Sequence, residues 1–348
     1  MNPNNVMTAS RMAALSLCLR KHYWAYEAML KPATVADALA FGTAWHKAME
    51  ALAKGSDART AFLAAAECGL KDEFTAATLQ AMLAGYAKHW CMSYGTTMPE
   101  VQFSLPVKGA KDWTADGKID GIVDNGDGTV SLLEHKTSGQ DIDPSSDYWL
   151  RLRGNVQIAT YADALERNGY TVRDVVYDVA RKPTIRPMAS VPTLDASGLK
   201  TVIGLDGQRV YKRDGQPKQS ADKDKGESFL AAPETAEQYG ERILADIAKR
   251  PEFYFQRRVY TVSKAEIAGF VTARKEAVAL VKHLRKRAKA GPAAWLRCDS
   301  PMVCRFCPYE ALCLQDISPV RGVDEAPAGY RWAEEANEEL SAASPVAE

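Results

Sequence analysis

The segment from residue 117 to 137 limits what this chain can fold into more than any other. It reads GKIDGIV, then DNGDG, then TVSLLEHKT. Two β-enriched runs flank a strong turn signal, which predicts a β-hairpin. The second strand is apolar through Leu132 and Leu133 and ends on Glu134, His135 and Lys136. Charge is costly to bury without partners, so such an ending needs a chemical reason. Strand side chains alternate faces, so Glu134 and Lys136 share one face and His135 takes the other. With the turn centred on Gly126, Asp120 falls opposite Leu132 and diagonal to Glu134, about 7–8 Å away between Cα atoms. A register one step away would set the two acids directly opposite. Either arrangement brings two carboxylates and one lysine to one spot. Two carboxylates suit a hard divalent cation such as Mg²⁺ or Mn²⁺, which polarises a phosphodiester. Lys136 is then placed to stabilise charge on the phosphate. The same three residues in isolation also fit a solvent-facing strand end.

Around the hairpin, the first quarter is helical in pattern, over 8–30, 35–53 and 58–95. Strands are expected over 100–107 and 172–180, and helices over 154–168, 234–249 and 264–290. Residues 204–227 read as a loop or insertion, and no internal repeat is evident. An Ala/Glu/Pro tail from about residue 320 is expected to be disordered.

Zero formal net charge, from 44 basic and 44 acidic residues, gives no global sign of nucleic acid binding, although a local patch would suffice. With no signal peptide pattern and no long apolar run, a cytoplasmic protein is expected.

Two further stretches extend the hairpin set. FGTAWHKAME places His46 on a helix behind Gly42, and NVQIATYADAL places Gln157 and Tyr161 one helical turn apart. The order Gly42/His46, Gly117/Asp120, Glu134/Lys136, Gln157/Tyr161 resembles the RecB-type branch of the PD-(D/E)XK nuclease superfamily. The resemblance implies that His46, Asp120, Glu134 and the His135 backbone carbonyl hold the metal. It implies that Lys136 is the catalytic lysine, with Glu134 and Asp120 beside it, and that Gln157 and Tyr161 line the DNA path. Glu100 stands where relatives often carry another acid.

The cysteines carry a second signal. CDSPMVCRFCPYEALC supplies Cys298, Cys304, Cys307 and Cys313, a metal-ligand density for a cytosolic chain. Four local thiolates could hold Zn²⁺. The placement of Cys18 in the N-terminal helix, ahead of the nuclease motifs, is similar to the iron–sulfur members of the family, such as AddB and CRISPR-associated exonucleases. That resemblance implies a 4Fe-4S cluster on Cys18, Cys304, Cys307 and Cys313, with Cys298 spare. Cys68 and Cys91 fall in helical patterns and read as buried apolar residues.

Residues 250–290 hold 11 Lys/Arg against 3 Glu, and ARKPTIRP puts Arg181, Lys182 and Arg186 at a strand exit, both candidate DNA contacts. The layout VVYDVARKPTIRP also resembles nucleases of tailed bacteriophages.

The expectation is therefore an α/β protein. A restriction-endonuclease-like mixed sheet core at 99–200 is flanked by helices. An N-terminal helical region (1–98) carries Cys18 and His46. An insertion with basic helices (201–297), a cysteine-rich iron–sulfur segment (298–318) and an acidic tail (319–348) complete it. The expected activity is a metal-dependent DNA exonuclease with a structural cluster, working in recombination, repair or phage DNA processing. The alternative is a non-catalytic DNA-binding assembly subunit. No ATPase loop of the G-x-x-x-x-G-K-[ST] type is present, so a recombinase, helicase or single-strand-binding partner is expected to be a separate chain.

Overall fold

The computed structural model describes residues 4–34, 36–90, 98–315 and 318–341. The helix expected over 8–30 is broken. Ala9–Leu17 (α1) is capped by Thr8, whose hydroxyl accepts from the Arg11 backbone N–H at 3.0 Å. At Cys18 the backbone turns extended (φ −165, ψ 119), and the chain re-enters helix at Leu19–His22 and then a π-helical turn, Tyr23–Glu27. Cys18 therefore caps a break and does not lie within a helix.

Asp37–Ala53 (α2), Ala58–Ala66 (α3) and Glu73–Trp90 (α4) follow. The single helix expected over 58–95 is split because Asp72 starts a new one, its Oδ1 accepting from the Thr75 N–H at 2.7 Å. The remainder of that expectation, including Cys91, lies outside the described residues. Small residues let these helices close on one another. Ala44, Ala48, Ala61, Ala65 and Ala81 pack with Trp45, Met49, Leu79, Met82 and Tyr86.

A five-stranded sheet forms the centre, from Met98–Val107 (β1), Ala110–Asp124 (β2), Val130–Ser138 (β3), Val172–Arg181 (β4) and Phe255–Thr261 (β5), in the order β5-β4-β3-β2-β1. β3 and β4 are parallel and the other pairs antiparallel. The crossover between them is Val156–Arg167 (α5), capped by Asn155. Central position explains the apolar runs of β3 and β4, which are buried on both faces. Ile119, Ile122, Leu132, Val175 and Tyr177 pack towards α5 on one face. β5 was hidden in the sequence because it lies inside the basic segment. Its neighbours Ala236–Lys249 (α6) and Lys264–Lys286 (α7) both start on capping boxes, Thr235/Gln238 and Ser263/Glu266.

The hairpin register differs from the first arrangement considered. Ile122, not Asp120, pairs with Leu132, and Gly121 pairs with Leu133. The paired register ends at Gly121/Leu133, and beyond it the His135 N–H is taken by the Asp120 carboxylate.

Residues 194–217, which overlap the stretch expected as a loop or insertion, contain a repeat missed in the sequence. Three hairpins follow one another, bridged at Leu194/Lys200, Ile203/Arg209 and Tyr211/Pro217. In each, a backbone N–H near the start bonds a carbonyl four residues on: Asp195 to Leu199, Gly204 to Gln208, Lys212 to Gln216. Each also has glycine with positive φ at the same place, Gly198, Gly207 and Gly215. The tail also departs from expectation: Tyr330–Trp332 pairs antiparallel with Leu30–Pro32, and Ala333 and Ala336 are buried beside Trp24 and Tyr309. Aromatic residues supply the apolar contact for this part of the tail, and residues 342–348 lie outside the described residues.

No helix among the described residues is long and apolar enough to cross a membrane.

Candidate active site and cysteine centre

The charged end of β3 meets α2, β2 and α5. His46 reaches from α2, and its Nδ1 lies 3.1 Å from Asp120 Oδ1. The other Asp120 oxygen accepts the His135 backbone N–H at 2.9 Å. Lys136 Nζ donates to Glu134 Oε1 and, at 3.1 Å, to Gln157 Oε1. Gln157 Nε2 in turn donates to the Tyr161 hydroxyl at 2.7 Å. The structure thus brings together His46, Asp120, Glu134, Lys136, Gln157 and Tyr161. Gly117 lies beside them on β2, where an added Cβ would sit 2.6 Å from the Phe103 ring and 3.1 Å from Tyr161. Glu100 is paired with Lys118.

Electrostatics distinguish the two acids. Burial raises the Glu134 carboxyl above its ordinary value, and the Asp120 charge adds to this against the opposing pull of Lys136. Asp120 is also penalised by burial, but His46 and the His135 N–H outweigh this and hold it well below the carboxylate range. His46 is raised, because Asp120 and Glu134 overcome the effect of burial. Lys136 is raised for the same reason, with Glu134 the main partner. Glu134 Oε2 is buried and has no hydrogen-bond partner among the described residues. An orphaned, desolvated carboxylate oxygen, on an acid whose proton affinity a second nearby acid raises, is a donor set that fits a hard cation. Among the described residues no three His, Cys, Asp or Glu side chains form a ready-made ion cage. The acid oxygens engage His46 and Lys136, and an entering ion would exchange those contacts.

The other proposed DNA contacts are partly committed elsewhere. Arg181 pairs with Asp141 at 2.7 Å and lies over the Phe253 ring. Lys182 lies over Phe41, and burial lowers its ammonium from the ordinary value. Arg186 accepts through its carbonyl from Arg242. In the basic segment Arg257 meets Asp178, Arg258 meets the Pro144 carbonyl, Arg274 meets Asp163, Lys282 meets Asp112 and Arg285 meets Glu27. Four of these five side chains are thus in ion pairs within the chain, which the segment's charge count alone did not reveal.

A family model for the PD-(D/E)XK nuclease superfamily matches residues 6–314. The chain belongs to the PD-(D/E)XK nuclease superfamily. A solved structure titled "Crystal structure of SSO0001" is similar at 10% identity over 90% of this chain and 88% of that one, with a TM-score of 0.30. No curated protein matches the chain.

This superfamily member also gathers its separated cysteines. Cys18, Cys298, Cys304, Cys307 and Cys313 line one cavity of about 260 Å³, with Lys21, Arg297 and Glu310 at its wall. The Cys298 backbone N–H donates to Cys18 Sγ at 3.2 Å, and Cys304 Sγ lies 3.5 Å from the Cys298 carbonyl. Burial raises the Cys307 and Cys313 thiols above their ordinary values. Cys68 lies away from this cavity, partly buried against the α2–α4 core.

Proposed function

We propose that this superfamily member is a Mg²⁺- or Mn²⁺-dependent deoxyribonuclease that degrades DNA from its ends. The observation that carries the reading is the convergence of His46, Asp120, Glu134, Lys136 and Gln157 at one end of β3. His46, Asp120, Glu134 and the His135 carbonyl would hold the cation, which when bound supplies Lewis-acid polarisation of the scissile phosphate. Lys136 stays protonated beside Glu134 and Gln157, and presents a proton to a phosphate oxygen. Gln157 fixes that ammonium and is itself fixed by Tyr161, so the helix α5 sets the direction of the donor. Arg181 and Lys182 at the adjoining exit of β4 are assigned to the DNA backbone.

The five-cysteine cavity supports a structural 4Fe-4S cluster on Cys18, Cys304, Cys307 and Cys313. Four soft thiolates match that group in ligand type, and to hold it their side chains would have to draw together, since they form no ready-made metal cage among the described residues. Cys298 joins them through its backbone, since both its N–H and its carbonyl face the other sulfurs. A cytoplasmic setting and a role in recombination or phage DNA processing fit this reading.

The test is digestion of linear DNA by the wild type, Glu134→Ala and Lys136→Ala, each with its melting temperature recorded. Both variants are expected to lose at least ~10²-fold in rate while remaining folded. Undiminished cleavage by either folded variant sinks the assignment.

A further inference from the structure

His135 belongs to both faces of the sheet. Its backbone N–H orients Asp120 on the candidate-site face, at 2.9 Å. Its side chain passes to the opposite face and is buried there, with Nδ1 3.4 Å from Asp178 Oδ2. The pairing is in register across three strands: His135 neighbours Asp178 from β3 to β4, and Asp178 neighbours Arg257 from β4 to β5. Tyr86 adds a hydroxyl from α4 to the same carboxylate. Arg257 Nη2 reaches Asp178 Oδ2 at 3.3 Å and the Tyr86 hydroxyl at 2.9 Å.

All these groups meet at one oxygen, while Asp178 Oδ1 has no partner among the described residues. Tyr86 and Arg257 donate to that oxygen and fix the rotation of the carboxylate, while His135 Nδ1 approaches it to 3.4 Å and has no hydrogen-bond partner among the described residues. Asp178 is only 2% exposed, so its charge is tolerated only through these partners. Four elements are thus tied together directly behind the peptide that orients Asp120.

We propose that Asp178, acting through His135, is a positioning residue for the candidate metal site. This rests on the metal-dependent reading above. Asp178 touches neither substrate nor metal. Its charge sits 3.4 Å from the buried His135 imidazole, and through that contact it bears on the direction of the His135 N–H and carbonyl. Those in turn set one Asp120 oxygen and the backbone ligand.

The experiment is Mn²⁺ titration calorimetry on the full chain without DNA. Wild type is compared with Asp178→Asn, His135→Gln, the double variant and Glu234→Gln. Glu234 makes a comparable ion pair with Arg242 in the insertion region and serves as the control for lost buried charge. Asp178→Asn and His135→Gln are each expected to weaken Mn²⁺ binding on the order of tenfold, the double variant no further, and the control not at all. Should Asp178→Asn fail to fold, Tyr86→Phe removes one donor and keeps both charges, and a few-fold weakening is expected. Unchanged affinity in Asp178→Asn or Tyr86→Phe, or losses that multiply in the double variant, would overturn the inference. If the wild type itself binds no Mn²⁺, the metal-site reading falls and takes the inference with it.

Discussion

His22 is fully buried, accepts from Arg11 Nε at 3.1 Å through Nε2, and stacks on Trp295 with ring centroids 5.3 Å apart. Burial, with Arg11 and Arg285 nearby, lowers its pKa to about 2. The folded value lies below the unfolded value of about 6.5. As pH falls, the unfolded chain takes up a proton that the folded chain refuses. Stability is therefore retained above about pH 6.5 and declines below it, by up to ~1.4 kcal/mol per pH unit for this one group. Urea denaturation at pH 7 and pH 5 should show this decline, and a His22→Phe variant should show less of it. At Gly117 the constraint is steric. Gly117→Val should destabilise by about 1–3 kcal/mol, because the Phe103 and Tyr161 rings occupy the space; denaturant midpoints measure it. The hairpin residues were legible in the sequence because alternation and a turn signal are local. The His135–Asp178–Arg257 row was not, since it depends on which strands become neighbours.

Among the elements, α5 and α7 are joined by a buried pair. Arg274 donates to Asp163, which also accepts from Arg167 at 2.9 Å. Arg274→Met should cost about 3 kcal/mol in denaturant unfolding, because it leaves a buried carboxylate short of a partner. The three successive hairpins give a contrasting expectation. Their glycines hold positive φ at an exposed insertion, so Gly207→Ala should speed limited proteolysis within 190–230 and barely move the global melting temperature. A melting point lowered by many degrees would contradict this. The repeat escaped the sequence reading because only the Asp-Gly-Gln of its second and third turns is shared. The first turn uses Ser197-Gly198-Leu199, and its spacing differs by one residue. β5 escaped for another reason: its charged residues are satisfied by partners distant in sequence, so its pattern resembles a solvated surface.

At the scale of the molecule, the two ends of the chain are fastened together. Tyr330–Trp332 pairs with Leu30–Pro32, Arg285 meets Glu27, and the cysteine cavity joins Cys18 to the segment 298–313. A cluster held in that cavity would cross-link residues far apart in the chain and so restrict the unfolded ensemble. Anaerobically purified wild type is expected to carry about four irons per chain. Cys18→Ser should lose them and melt at lower temperature. Zinc retained by Cys18→Ser would instead indicate a site built from the C-terminal cysteines alone.

The most direct test of the central claim is digestion with Mn²⁺ of linear and circular DNA, single- and double-stranded, by anaerobic wild type and Glu134→Ala. The account predicts that the wild type degrades linear DNA, leaves covalently closed circles intact, and loses all cleavage with Glu134→Ala. A folded, iron-containing wild type that cuts no DNA, or a Glu134→Ala variant that cuts as well as wild type, would contradict it.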